Sequence, residues 1–407
     1  VIFGFSHGRK PLQLLLFWSF AHGCHKLELE GWIKMKFFQL KPIVHTFSCC
    51  QDFINEFSLG KTDFILASKS NYAKHFQHLN LDLQAKVVFK SDYGPGEPTD
   101  LMCESIMDEV RKGHYTRIIA IGGGAVIDLA KVLAVTGEAS IDDLYQQVPN
   151  LEKRRKLVIV PTTCGTGSEV TNISILSRTR INTKAGLVSD ALFPDDAVLI
   201  PELLTDLPFS VFATSSLDAL VHAVESALSP KANEMTRIFS YQAITMILRG
   251  YCKIVEYGDQ MRTSLMHDFL LASTYAGIAF SNAGCATVHA LSYPLGTICH
   301  VPHGESNYAI FPGVIQKYQQ LKPEGEILIL AGVVAEALSC HSDDWFEALD
   351  ALLSRILRRK HLHEYGVEKA DLVSYTESVL TNQQRLLNNS FIPVNRDDIL
   401  DIYQSLF

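Results

Sequence analysis

Asp218 and His222 stand four residues apart in "TSSLDALVHAVESALSP", residues 214–230. On a helix that spacing stacks a carboxylate and an imidazole on one face, within reach of a shared cation. A lone DxxxH pair is common on helix surfaces, but this one sits in an apolar run, where a buried Asp or His needs a partner. His289 opens a further apolar helical stretch, and His303 falls in a Pro-His-Gly turn fourteen residues later. One carboxylate and three imidazoles make an N/O donor set that divalent iron or zinc accepts. Taken alone, these residues leave ordinary packing open as an alternative.

Two dense loops offer a second chemistry. "IIAIGGGAVIDLAKVLAV" (118–135) is an apolar strand, three glycines and a helix. Gly122, Gly123 and Gly124 let the backbone turn sharply, and the free N–H groups of the following helix favour an anion such as a pyrophosphate. This is not the GxGxxG pattern of an ordinary Rossmann turn, and a glycine turn with no ligand stays open. Asp128, early in that helix, favours the helix dipole. "VPTTCGTGSEVTNIS" (160–174) sets Thr162, Thr163, Thr166 and Ser168 around two glycines after another strand. Such small donors suit ribose, phosphate or amide contacts; a self-satisfied Ser/Thr turn is the plainer reading.

The elements that must position these groups divide the chain in two. From about 36 to 205, short apolar runs alternate with helical stretches, which predicts a parallel sheet. The strands are expected at 63–68, 86–90, 117–124, 156–163 and 196–200, and a helix at 98–113 with a threonine cap and a closing glycine. Beyond 206, 3.6-residue periodicity takes over at 212–228, 234–256, 262–279, 323–338, 343–358 and 368–388. The expected fold is an α/β nucleotide-binding domain over 35–205 followed by an all-α metal-binding domain over 206–407. Residues 1–34 carry "GRKPLQLLLFWSFAHGC" (8–24) ahead of Met35 and are expected to be a non-native or leader segment, with a targeting segment or a structured extension as alternatives. The apolar run is too short to span a membrane.

The 407 residues are 47% hydrophobic and carry a formal charge of −8, with no sustained basic stripe. That argues against a nucleic-acid partner. The "KRRK" cluster at 153–156 is expected to be a solvated loop. Nine cysteines without CxxC spacing fit reduced thiols in the cytoplasm, with neither a disulfide framework nor a structural zinc site.

The blocks "GGGAVIDLAK" (122–131), "PTTCGTGSEVT" (161–171), "DALVHAVE" (218–225) and "HALSYPLG…PHGE" (289–305), in that order, resemble the iron-containing (group III) alcohol dehydrogenase family across 36–407. The resemblance implies the dehydroquinate-synthase-like fold and NAD as cofactor. It also implies a divalent metal, Fe(II) before Zn(II), on Asp218, His222, His289 and His303. Gly122, Gly123, Gly124, Ala125, Thr162, Thr163, Thr166 and Lys184 match cofactor-side positions. "KFFQLKPIVHTF" (36–47), "YGPGEPTD" (93–100), "SYPLGTICHVPHGESNY" (292–308) and "QQRLLNN" (383–389) look most like the members that interconvert 4-hydroxybutyrate and succinate semialdehyde. Another short-chain alcohol or aldehyde, or a metal-dependent lyase or synthase on the same fold, is the alternative. A substrate carboxylate wants a cation, for which Arg385 and Lys184 are the candidates, and a homo-oligomer, a dimer, is expected.

The sequence departs from the family pattern in three places. Tyr293 stands where many members have a proton-relay histidine. Ser68 aligns with an aspartate found in several NAD-preferring members, so the choice of NAD over NADP rests on the resemblance. Ala125 replaces a usual serine. His300 matches no ligand position and is expected in the pocket wall or in ordinary packing.

Overall fold

The computed structural model describes residues 37–79, 84–181 and 183–407, so the leader reading of 1–34 lies outside the described residues. Six strands form one parallel sheet in the order β1-β8-β5-β4-β2-β3. They are β1 (Ile43–Thr46), β2 (Asp63–Ala67), β3 (Lys86–Phe89), β4 (Arg117–Gly122), β5 (Lys156–Pro161) and β8 (Asp196–Leu199). A two-stranded antiparallel ribbon, β6 (Ile173–Arg178) with β7 (Thr183–Val188), stands beside it. The inner strands are runs of Ile, Val and Leu buried on both faces, as a covered parallel sheet requires.

Helices of the sheet half are α1 (Cys50–Phe57), α2 (Lys69–His75), α3 (Asp100–Arg111), α4 (Gly124–Val135) and α5 (Ile141–Gln146). The expected threonine cap of α3 is present: Thr99 Oγ1 accepts from the Met102 N–H at 3.1 Å. The helical half follows with α6 (Phe209–Leu228), α7 (Glu234–Tyr257), α8 (Arg262–Ala283), α9 (Thr287–Ile298) and α10 (His303–Leu321). It is completed by α11 (Glu326–Leu338), α12 (Trp345–Ile356), α13 (Asp371–Asn382), α14 (Gln384–Leu387) and α15 (Arg396–Leu406). Among the described residues no helix is long and apolar enough to cross a membrane.

Alternation along the strands assigns the two faces of the sheet to different cores. Phe64, Leu66, Ile118, Ala120, Leu157 and Ile159 pack against α3 and α4. Ile65, Ile119, Ile121, Val158, Val160 and Val198 belong instead to the core that runs through α6, α7, α8 and α10. The sheet and the helical half therefore share one apolar interior, and Phe38–Phe407 form one compact unit. Burying each such side chain contributes about 1.5–3 kcal/mol.

The helical stretch expected from His289 is α9, but β1, β6, β7, α10 and α15 were not among the expected elements. His303 is the first residue of α10, with Pro302 at its cap, instead of lying in a turn. The "KRRK" cluster is the expected loop into β5, with Arg154 and Lys156 exposed, Lys153 Nζ donating to Asp195 Oδ2 at 2.9 Å and Arg155 Nη1 to the Thr136 carbonyl at 2.6 Å.

Candidate metal centre and adjoining cleft

α6 starts behind Pro208 and stops ahead of Ser229 and Pro230. Its apolar sequence buries it, and Asp218, His222 and Glu225 at i, i+4 and i+7 share one stripe. His289 comes from the first turn of α9 and His303 from the first residue of α10. The next residue, Gly304, lets α10 approach α6: a Cβ there would lie 2.1 Å from the Thr214 carbonyl oxygen and 3.2 Å from Asp218 Cβ.

One donor atom from each of Asp218, His222, His289 and His303 lies within 4.8 Å of the others. The Nε2 atoms of His222 and His289 are 3.0 Å apart, and His303 Nε2 is 3.7 Å from Asp218 Oδ1. Metal–nitrogen bonds of about 2.0–2.1 Å put tetrahedral donors roughly 3.3 Å apart, between those two values. Asn307, one turn along α10 from His303, fills the focus of the set with its Nδ2, while its buried Oδ1 has no hydrogen-bond partner. Converging lone pairs together with an orphaned amide oxygen fit a cation at this point.

Charge is arranged accordingly. Burial would raise the Asp218 carboxyl, but His222, His303, His289 and the Asn307 amide hold it below the ordinary carboxylate range. Burial opposes charge on His222 and His289, yet Asp218 lifts the first, and Cys285 and Glu225 lift the second. His303 is taken down to about 4 by burial, against the pull of Asp218. Glu225 holds His289 from behind: its Oε2 is 2.6 Å from Nδ1, and its oxygens accept from the Ala286 and Val288 N–H groups at 2.9 and 2.6 Å. It thus fixes the ring and caps the start of α9 with one carboxylate. His222 stacks on Phe280 with centroids 4.4 Å apart.

These ligand candidates line a cavity of about 330 Å³ together with Gly124, Ala125, Asp128, Thr166 and Lys184. Lys184 comes from β7, Gly124, Ala125 and Asp128 from the start of α4, and Thr166 from the loop after β5. The loops after β4 and β5 lie side by side because the two strands are neighbours, with the Thr162 N–H donating to the Gly122 carbonyl at 3.1 Å. Both loops leave the carboxyl ends of their strands, where ligands of open α/β sheets bind. Gly122, Gly123, Thr162 and Thr163 lie at the base of the loops and do not line the cavity. Gly167, at φ 56°, lets the second loop touch α8, where a Cβ would fall 2.5 Å from Gly277 Cα.

Tyr293 and Arg385 complete the wall. No hydrogen bond to the Tyr293 hydroxyl occurs among the described residues, and burial raises its pKa although His289 and Arg385 pull it down. Arg385 makes neither a hydrogen bond nor an ion pair among the described residues. Its short helix is anchored by buried Leu386 and Leu387 and by Asn389, whose Nδ2 donates to the carbonyls of Ala283 and Cys285 at 2.8 and 3.1 Å. Lys184 is paired with Glu97 at 2.6 Å.

Several residues were not singled out by sequence reasoning. Asn307 and Glu225 carried a signal in their helical spacing from His303 and His222. Cys285, whose thiol burial would raise, is held at about 7 by His289 and His222. Lys131 is buried beneath the loops, its Nζ donating to Ser168 Oγ, Thr171 Oγ1 and the Ile173 carbonyl at 2.7, 2.8 and 2.7 Å. Ser68 lies at the end of β2, as its alignment implied, just ahead of α2 and outside the cavity, and its side chain makes no capping hydrogen bond. His300, at φ 54°, is exposed between α9 and α10 and does not line the cavity, which corrects its placement in a pocket wall.

Comparison with known proteins agrees with this geometry. Residues 43–201 match the iron-containing alcohol dehydrogenase profile and residues 212–407 the C-terminal profile of the Fe-containing alcohol dehydrogenase family. The chain is 43% identical over 373 residues to a 4-hydroxybutyrate dehydrogenase of Clostridium kluyveri, covering 92% of this chain and 100% of that one. It is 35% identical to long-chain-alcohol dehydrogenase 1 of Geobacillus thermodenitrificans, over 73% of this chain and 76% of the relative. The crystal structure of a 1,3-propanediol oxidoreductase superposes with a TM-score of 0.78 at 25% identity, covering 92% of this chain and 100% of the other.

Proposed function

The chain belongs to the iron-containing alcohol dehydrogenase family, and from that premise we propose that it interconverts 4-hydroxybutyrate and succinate semialdehyde with NAD(H). The observation that carries the proposal is one cavity bounded by the Asp218/His222/His289/His303 donor set, the glycine loop and a cation, Arg385, that has no ion-pair partner among the described residues. A divalent ion on those four residues, Fe(II) before Zn(II), supplies Lewis acidity toward the substrate's reacting oxygen. A nicotinamide cofactor held by the glycine loop would supply the hydride acceptor or donor.

The chain's own residues do the positioning. The glycine loop and the N-terminus of α4 receive the pyrophosphate, with Gly122, Gly123, Gly124 and Ala125 close to it and Thr162, Thr163 and Thr166 on the neighbouring loop. Glu225 keeps His289 in a single orientation. Arg385 faces the cavity to receive the distal carboxylate, with a bidentate fork suited to it; Lys184 is already neutralised by Glu97 and is the weaker candidate. Tyr293, protonated across the neutral range, donates a hydrogen bond to the substrate and does not act as a base. The proposal places the nucleotide on 35–205 and the metal on 206–407.

The test is spectrophotometric. Protein loaded with ferrous iron or zinc should consume NADH when succinate semialdehyde is added, and butanal should be a poorer substrate. Equal turnover of both aldehydes would overturn the carboxylate assignment, and no turnover of any short aldehyde at full metal occupancy would overturn the dehydrogenase assignment.

A further inference from the structure

Away from the cleft, three separate segments bring Cys50, His75 and Glu202 together. Cys50 opens α1 behind β1, His75 ends α2, and Glu202 lies in the 3-10 turn Pro201–Leu204 that follows β8. One ligand-type atom from each lies within 4.8 Å of the other two. Cys50 and His75 are 2% and 8% exposed. His75 Nε2 is buried with no hydrogen-bond partner, and Asp206 Oδ2 lies 3.9 Å from it. Glu202 already faces Cys50, accepting from its backbone N–H at 2.8 Å through Oε2.

A buried imidazole nitrogen left without a partner calls for a ligand in a folded protein. The atoms around it are the Cys50 thiol sulfur and a Glu202 carboxylate oxygen; Asp206 is near the imidazole but not within 4.8 Å of both other donors. Sulfur, nitrogen and oxygen donors in this number suit a borderline cation of tetrahedral preference, which among common divalent ions is zinc. Glu202 is partly exposed and Asp206 exposed, so an ion has a path from solvent. Lys74 pairs with Asp206 at 2.5 Å and is the group a cation would displace.

We propose that Cys50, His75 and Glu202 form a zinc site distinct from the Asp218 centre, its fourth position taken by water or by Asp206 once Lys74 is displaced. It ties the segments leaving β1 and β8 to the end of α2. It departs from the expectation that the cysteines serve no zinc site, because its ligands come from three segments and leave no CxxC spacing to read.

Zinc, or cobalt(II) as a spectroscopic probe, is titrated into the full chain stripped of metal. The chain should bind one more equivalent than Cys50→Ser, and the variant should lose the near-ultraviolet thiolate-to-cobalt charge-transfer band while keeping its dehydrogenase activity. His75→Gln should also lose the equivalent, and it carries the comparison should Cys50→Ser fail to fold. The readout is a difference between the chain and its variant, so an error in the Asp218 assignment leaves it intact. Unchanged stoichiometry and an unchanged band in the folded variant would overturn the proposal.

Discussion

Asn307 Nδ2 donates to Asp218 Oδ1 at 2.7 Å while lying 3.2 Å from both His289 Nε2 and His303 Nε2. One neutral amide group therefore occupies the focus of three donors that would otherwise repel one another. A divalent cation satisfies them better, and at a free concentration of 100 Kd it should stabilise the fold by about 2.7 kcal/mol. Thermal melts with and without metal measure this. The increment due to this centre is the part missing in Asp218→Ala, and a full increment in that variant would exclude Asp218 as a ligand.

Glu225→Gln should weaken metal binding by roughly 10- to 100-fold, because the His289 ring loses the carboxylate that fixes its tautomer. The fold should survive, since a glutamine oxygen still accepts from one backbone N–H of α9. Competition with a chelator reads the affinity; an unaltered dissociation constant would remove Glu225 from the centre.

Arg385→Gln should raise KM for succinate semialdehyde by about tenfold, the low end for a charge-assisted hydrogen bond because this arginine is largely exposed. Butanal should be turned over as before. A proportional loss on both aldehydes would assign Arg385 to the fold and not to the substrate.

Gly304→Ala forces a methyl group against the Thr214 carbonyl. Overpacking of this kind costs about 1–3 kcal/mol, and relief by moving α10 carries His303 with it. Lower thermal stability accompanied by lower metal affinity is expected. A stable variant with intact metal affinity would show that α10 can shift without disturbing the donor set.

Burial lowers Lys131 from 10.5 to about 8, against the pull of Asp128. Burial raises Asp128 from 3.8 to about 6, against the pull of Lys131. Between about 8 and 10.5 the unfolded chain holds a proton on Lys131 that the native state has released, so this group makes stability rise with pH. Between 3.8 and about 6 the native state holds the extra proton on Asp128, and stability falls with pH. Urea unfolding at several pH values should show the alkaline rise in the chain and not in Lys131→Met. Parallel curves would mean that Lys131 remains charged in the native state.

The inner strands and the long helices were legible because a both-faces-buried strand and a 3.6-residue stripe each leave a local pattern. Asp218 and His222 were legible for the same reason, as neighbours on one helix. His289 and His303 were legible as donor types, but no spacing shows that they reach α6, since α9 and α10 bring them there through tertiary packing; the resemblance named the same four residues. Pro302 ahead of α10 disguised the start of that helix as a turn. The β6/β7 ribbon escaped because its strands mix Ser, Thr, Lys and Arg with apolar residues. The Cys50 cluster left no linear trace at all.

Ile65, Ile119, Val158 and Val198 of the sheet are buried in the same interior as the helices that carry the metal candidates. Swinging the two halves apart would drive those side chains into water, at about 25 cal/mol for each Å² uncovered. The cleft is consequently the gap of a clamp whose two jaws are joined by one packed interior, and widening it carries that cost.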